Sequence, residues 1–96
     1  MGEKRIENYL CRKVKEHGGI AEKLVYVAKC GSADRWCFFP NGRLYMVEVK
    51  QASGRLSQAQ KIEQDRMTTL GFDYRVVWSE DDVDEFIAEV TSCEKN

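Results

Sequence analysis

The sixteen residues RWCFFPNGRLYMVEVK, positions 35–50, constrain the fold more than any other stretch of the chain. Two runs rich in aromatic and β-branched side chains, 35–40 and 43–50, flank Pro40-Asn41-Gly42, a strong turn signal. A three-residue loop suits that triplet. Pro40 opens the turn with its fixed φ, Asn41 follows, and Gly42 takes the left-handed bulge position. Such a loop pairs Phe39 with Arg43, Phe38 with Leu44, Trp36 with Met46, and Asp34 with Glu48. Strand side chains alternate with period two, so Asp34, Glu48 and Lys50 then share one face. Cross-strand partners hold their Cβ atoms about 5 Å apart, and two carboxylates that close repel unless a proton or cation stands between them. A two-residue Asn-Gly loop would instead bring Asp34 opposite Val49, so the juxtaposition depends on the loop.

The remaining elements follow from periodicity and from helix start and stop signals. Ile6, Leu10 and Val14 at i, i+4, i+8 predict a helix over 3–17, closed by Gly18-Gly19. LVYVAK (24–29) reads as a first strand. Ser57 with Gln60 three residues on forms a capping-box pattern that opens a second helix, and Gly71 after Leu70 closes it. FDYRVVW (72–78) reads as a strand. Val83, Phe86, Ile87 and Val90 predict a final helix over 81–91, capped by Ser79. The order is αβββαβα. Hairpin strands are antiparallel and a helical crossover leads to the fourth, so the expected class is α/β, a mixed four-stranded sheet flanked by helices. Ninety-six residues, 43% of them hydrophobic, predict one domain over 1–96 with a real core. Trp36, Phe38, Tyr45 and Trp78 are expected in that core.

Composition excludes several function classes. No apolar run approaches the ~18 residues of a membrane span, and the charged N-terminus MGEKRIENYL does not resemble a signal peptide. A cytoplasmic location is expected. Cys11, Cys30, Cys37 and Cys93 show no C-x-x-C spacing and are joined by one histidine, His17, which favours reduced thiols over zinc. Net charge is −1, but it is unevenly spread. Residues 1–61 hold twelve Lys/Arg and six Asp/Glu (+6), and residues 62–96 hold three and ten (−7). One reading is a side that attracts a polyanion; the other is an unevenly charged, solvated surface.

Two carboxylates and a lysine at a strand end suit hydrolysis assisted by a divalent metal. Mg²⁺ and Mn²⁺ take oxygen ligands, often one or two carboxylates with water and phosphate completing the shell. The lysine would orient or deprotonate the attacking water. The alternative is an ordinary cross-strand salt-bridge cluster.

D-R at 34–35, V-E-V-K at 47–50 and R-L-S-x-x-Q at 55–60 together resemble the VRR-NUC nucleases, a branch of the PD-(D/E)XK superfamily with a restriction-endonuclease-like fold. I-E-N-Y-L (6–10) and G-G-I (18–20) extend the resemblance to small phage and bacterial members, over nearly the whole chain. It implies that Asp34, Glu48 and the Val49 backbone carbonyl bind Mg²⁺ or Mn²⁺. It further implies that Lys50 is the catalytic lysine, that Gln60 supports the lysine or the water, and that Glu7 adds a carboxylate from the first helix. One departure stands out: Ala33 occupies the position where the family usually has a proline before the aspartate.

The resemblance also implies a metal-dependent DNA endonuclease leaving a 5′-phosphate on branched DNA, Holliday-junction resolvase-like; two symmetric nicks from one-site subunits then lead to the expectation of a homodimer. A flap or nicking nuclease of the same fold, and a non-catalytic DNA-binding module, are the alternatives. Among the basic residues, Lys23 and Arg55 adjoin the expected site, and Arg35 and Arg43 join them as candidate DNA contacts.

Overall fold

The computed structural model describes residues 2–23 and 35–94, with side chains as far as Ser92. Helix α1 (Glu3–Glu16) leads into strand β1 (Ile20–Glu22), and strand β2 (Arg35–Phe39) turns through Pro40–Gly42 into β3 (Arg43–Val49). Helix α2 (Gln58–Thr69), strand β4 (Asp73–Val77) and helix α3 (Glu80–Glu94) complete the chain. The sheet runs β1-β2-β3-β4; the first three strands are antiparallel neighbours, and β4 lies parallel to β3 after the α2 crossover. This is the expected mixed four-stranded sheet flanked by helices. The strand expected at 24–29 lies outside the described residues. The strand seen beside β2 is Ile20–Glu22, too short for periodicity to reveal and set immediately after the helix stop.

The hairpin adopts the three-residue register. Phe39 faces Arg43, Trp36 faces Met46, and Arg35 faces Val47. Asn41 (φ 70°) shares the left-handed conformation with Gly42 (φ 71°), which asparagine tolerates better than other side chains. Both helices preceding a strand end in the same way. The Gly18 and Gly19 N–H groups donate to the carbonyls of Lys15 and Val14, and those of Gly71 and Phe72 donate to Thr68 and Met67. These are Schellman ends, which require a left-handed residue at the first position beyond the cap. Gly18 (φ 82°) and Gly71 (φ 94°) supply it. The chain then turns directly into β1 and β4.

Alternation along the strands divides the core. Cys37, Phe39, Val47, Val49 and Val77 face α1 and α3, packing against Leu10, Val14, Val83, Phe86, Ile87 and Val90. Phe39, Tyr45 and Phe86 meet edge to face with ring centroids 5.3–6.0 Å apart. On the opposite face Met46 and Tyr74 form a smaller cluster with Trp36, Met67 and Val76. Trp36 and Tyr45 thus pack on the core as expected and Trp78 is half-buried, but Phe38 is 40% exposed. The charged halves of the sequence are also less separate than expected. α1 packs beside α3, the Arg5 Nε donates to Glu80 at 2.9 Å, and the Tyr9 hydroxyl donates to Asp84 at 2.6 Å. No helix among the described residues is long and apolar enough to cross a membrane.

Two outcomes test this packing. A methyl group on Gly19 would stand 2.5 Å from the Phe38 carbonyl oxygen and 2.9 Å from a Val14 methyl. Gly19→Ala should therefore lower stability by about 1–3 kcal/mol in urea denaturation. Burial pushes the Cys37 thiol up to about 12, with Cys11 adding to the shift and Arg35 opposing it. The folded value lies above the ordinary 9.0, so the fold favours the neutral thiol. That stabilisation is complete below about 9 and is lost as pH climbs toward 12. At pH 8 iodoacetamide should leave Cys37 unmodified in native protein and alkylate it in urea, read by peptide mass spectrometry.

Candidate functional site

Strand β3 carries its polar residue where a side chain of that face would ordinarily be apolar. Tyr45, Val47 and Val49 point to the large core, and Met46 and Glu48 point to the side covered by α2. Glu48 is only 2% exposed. A buried carboxylate is costly unless polar groups receive it. One such group is Gln60, whose Nε2 donates to the Glu48 Oε2 at 2.8 Å.

The position of Gln60 follows from the start of α2. Ser57 is the N-cap: its Oγ accepts from the Gln60 N–H at 3.1 Å, and the Gln60 Oε1 accepts from the Ser57 N–H at 2.8 Å. A backbone N–H can only donate, so this bond assigns the amide oxygen and leaves the NH₂ directed at Glu48. One side chain therefore closes the capping box and orients the carboxylate. The sequence offered Gln60 as a capping residue and, by resemblance, as a support for the lysine or the water; the cap is present, and the same side chain bonds Glu48.

Lys50 directly follows β3. Its N–H extends the ladder to the Val77 carbonyl at 3.0 Å, and strand alternation carries its half-buried side chain toward the face of Glu48. Among the described residues Lys50 forms no ion pair, so it is not tied to Glu48 as a salt-bridge cluster would require. Val49 ends β3, its side chain in the opposite core. Asp34 and Ala33 lie outside the described residues. The register that would bring Asp34 to Glu48 holds as far as Arg35 opposite Val47.

Other expected residues lie elsewhere. Glu7 accepts from the Arg35 Nε at 2.9 Å, and the Arg35 Nη1 donates to the Ala21 carbonyl at 3.2 Å. Arg35 alternates with Cys37 and Phe39, so this pair sits on the α1 side of the sheet, away from the face of Glu48. The Arg43 Nη1 donates to the Val90 carbonyl at 2.9 Å and its Nε to the Pro40 carbonyl at 3.3 Å, anchoring the hairpin to α3. No sequence periodicity could have disclosed that long-range bond. Lys23 and Arg55 are exposed, one following β1 and the other in the segment before α2.

Among the described residues no three His, Cys, Asp or Glu side chains gather as a metal cage. The donor set at the end of β3 is nevertheless all oxygen, with the Glu48 carboxylate beside the Val49 backbone. It suits a hard divalent cation that completes its shell with water and phosphate, rather than zinc.

Comparison with sequence models of protein families gives no match. The chain is 35% identical over 79 residues to "Putative nuclease p44" of Acyrthosiphon pisum secondary endosymbiont phage 1, covering 82% of this chain and 85% of that one. A solved structure titled "VRR_NUC domain" superposes with a TM-score of 0.84 at 30% identity, covering 90% of this chain and 94% of that one.

The double duty of Gln60 is open to a direct comparison of variants. Ser57→Ala removes the cap alone and should cost about 1 kcal/mol. Gln60→Ala also withdraws a donor from a buried carboxylate and should cost about 1–3 kcal/mol more. Equal losses in urea denaturation would mean that the bond to Glu48 contributes nothing.

Proposed function

The chain belongs to the VRR-NUC family of nucleases, and we propose that it is a metal-dependent, structure-specific DNA endonuclease hydrolysing phosphodiester bonds. The observation that carries this reading is the buried Glu48 carboxylate, oriented by Gln60 and followed two residues later by Lys50. A structural salt bridge would join the lysine to the acid, and the acid's described partner is instead the Gln60 amide.

In this reading Asp34, Glu48 and the Val49 carbonyl hold Mg²⁺ or Mn²⁺, a bound ion supplying Lewis acidity that acidifies water and offsets charge on the phosphodiester. Glu48 is kept in one orientation by Gln60, so its oxygens need not reorganise when the ligand arrives. Lys50 orients or deprotonates the attacking water at its Nζ. Lys23 and Arg55, exposed on segments that adjoin this end of the sheet, contact phosphates. Arg35 and Arg43 are less suited to that role, because each already serves acceptors within the fold. The protein would act in the cytoplasm of a bacterial or phage-infected cell.

We further propose a homodimer acting on four-way DNA junctions. One 96-residue subunit offers one such site and makes one nick. Resolution needs two symmetric nicks, and a two-fold dimer supplies two sites related by the axis of the substrate.

Cleavage of plasmid and junction DNA should require Mg²⁺ or Mn²⁺ and stop with EDTA. Lys50→Ala and Glu48→Gln should lower the rate by about 10²–10⁴-fold while folding and most DNA binding persist. Full activity in either variant would overturn the assignment. Binding of junction DNA without cleavage by wild type would indicate a binding module of the same fold. Light scattering should give a dimer; a monomer that cuts flaps as readily as junctions would favour a flap nuclease.

Metal ions should also raise the melting temperature, because a ligand that binds only the native state stabilises it. The shift should be much smaller in Asp34→Asn. Equal shifts would place the ion elsewhere.

A further inference from the structure

We infer that Trp78 is a stacking platform for an unpaired DNA base next to the cleaved phosphate. The inference rests on the reading of the Glu48 end of the sheet as a nuclease site, and adds how the nucleotide beside the cut is held.

Trp78 is a large aromatic that the core does not use. Trp36 packs on Met46 and Tyr74, whereas Trp78, although half-buried, joins neither buried cluster. Among the described residues its ring meets no other aromatic ring and its indole N–H no acceptor. A tryptophan placed for packing usually satisfies both. Trp78 instead lines a mostly apolar cleft of ≈320 Å³ with Arg5 and Ile6 of α1, Ala52 after β3, and Glu80 and Asp81 of α3. Small-ligand sites span about 300–1,000 Å³, so one base fits.

The cleft adjoins the proposed chemistry. Val49 pairs with Val77, and the Lys50 N–H donates to the Val77 carbonyl at 3.0 Å, so Trp78 follows β4 just where Lys50 follows β3. Ala52 on the cleft wall is two residues beyond Lys50. Open α/β sheets receive ligands at this carboxyl end of their strands. The start of α3 fixes the platform: the Trp78 N–H donates to the Asp82 Oδ2 at 2.8 Å, and the Asp82 N–H to the Ser79 Oγ at 3.1 Å. A backbone ordered in advance lowers the cost of binding.

The chemistry of the walls selects a base over a phosphate. Arg5 is paired with Glu80 at 2.9 Å and Asp81 adds a second acid, so the cleft offers no net positive charge. Every base presents a π face that an indole stacks on, whatever the sequence. A base enters only after leaving the duplex stack, which costs least where it is already unpaired.

Trp36→Phe leaves Trp78 as the sole tryptophan and makes its fluorescence the probe. The full chain is titrated in EDTA, which prevents cleavage, with a fluorescein-labelled flap and with a fully paired duplex, binding being followed by anisotropy. Trp78 emission should be quenched by the flap and little changed by the duplex. Trp78→Ala should weaken flap binding about 5- to 100-fold, with a smaller loss on duplex, and Trp78→Phe should retain most of the affinity. If Trp78→Ala does not fold, the quench and the Trp78→Phe affinity still decide. Bound flap with unchanged Trp78 emission, or equal losses on flap and duplex in a folded Trp78→Ala, overturns the inference while cleavage by wild type keeps the nuclease reading. A quench on the flap from a chain that never cuts with Mg²⁺ or Mn²⁺ overturns the nuclease reading and leaves the base contact. No DNA binding at all overturns both.

Discussion

The three-residue turn at Pro40–Gly42 decides which residue of β2 lies beside which residue of β3, and most of the molecule depends on that choice. A slip of one residue would rotate Cys37 and Phe39 away from Leu10, Val14 and Phe86 relative to Val47 and Val49. The large core would then be divided between two faces, and no arrangement of α1 and α3 could cover it. Asn41 and Gly42 both accept the left-handed backbone that this turn demands. Arg43, the first residue after it, secures the register at a distance by reaching the last turns of α3.

With the register set, the sheet separates stability from chemistry. The side facing α1 and α3 holds nearly all of the buried aliphatic and aromatic residues, and the side under α2 has a small cluster around Met46 and Tyr74. Glu48 lies on that thinner side. Placing a carboxylate in the larger core would demand donors where only alkyl groups surround it. Next to the first turn of α2, a donor is available because the helix start must in any case recruit polar side chains for its unpaired N–H groups. Gln60 meets both needs, so the capping requirement of the helix and the requirement of the buried acid are satisfied by one residue.

What could be read from the sequence was what depends on local chemistry. The Pro-Asn-Gly register, the Ser57–Gln60 capping box and the glycine stops all follow from interactions within a few residues, and all are present. The strand Ile20–Glu22 was not foreseen: three residues carry no usable period, and it is defined by pairing with Phe38, Cys37 and Trp36 far along the chain. Arg35 and Arg43 looked like candidate phosphate contacts because nothing near them in sequence reveals Glu7 or the Val90 carbonyl. The charge division had the same weakness. Sequence halves do not correspond to faces when α1, from the basic half, packs against α3, from the acidic half.

That packing bears on how a chain with net charge −1 would approach DNA. Arg5 is neutralised by Glu80, and the first turn of α3 contributes Glu80, Asp81 and Asp82 to the same side of the sheet as α1. A polyanion drawn to that side would meet acids together with bases. The end of β3 and the start of α2 lie on the other side, where Arg55 is exposed in the segment leading to Ser57. Paired charges on the α1–α3 side exert little field beyond the Debye length, about 8 Å at physiological salt, so they would add little long-range attraction for a polyanion. On the proposed reading, DNA would therefore be met through a few close phosphate contacts rather than through a broad basic half.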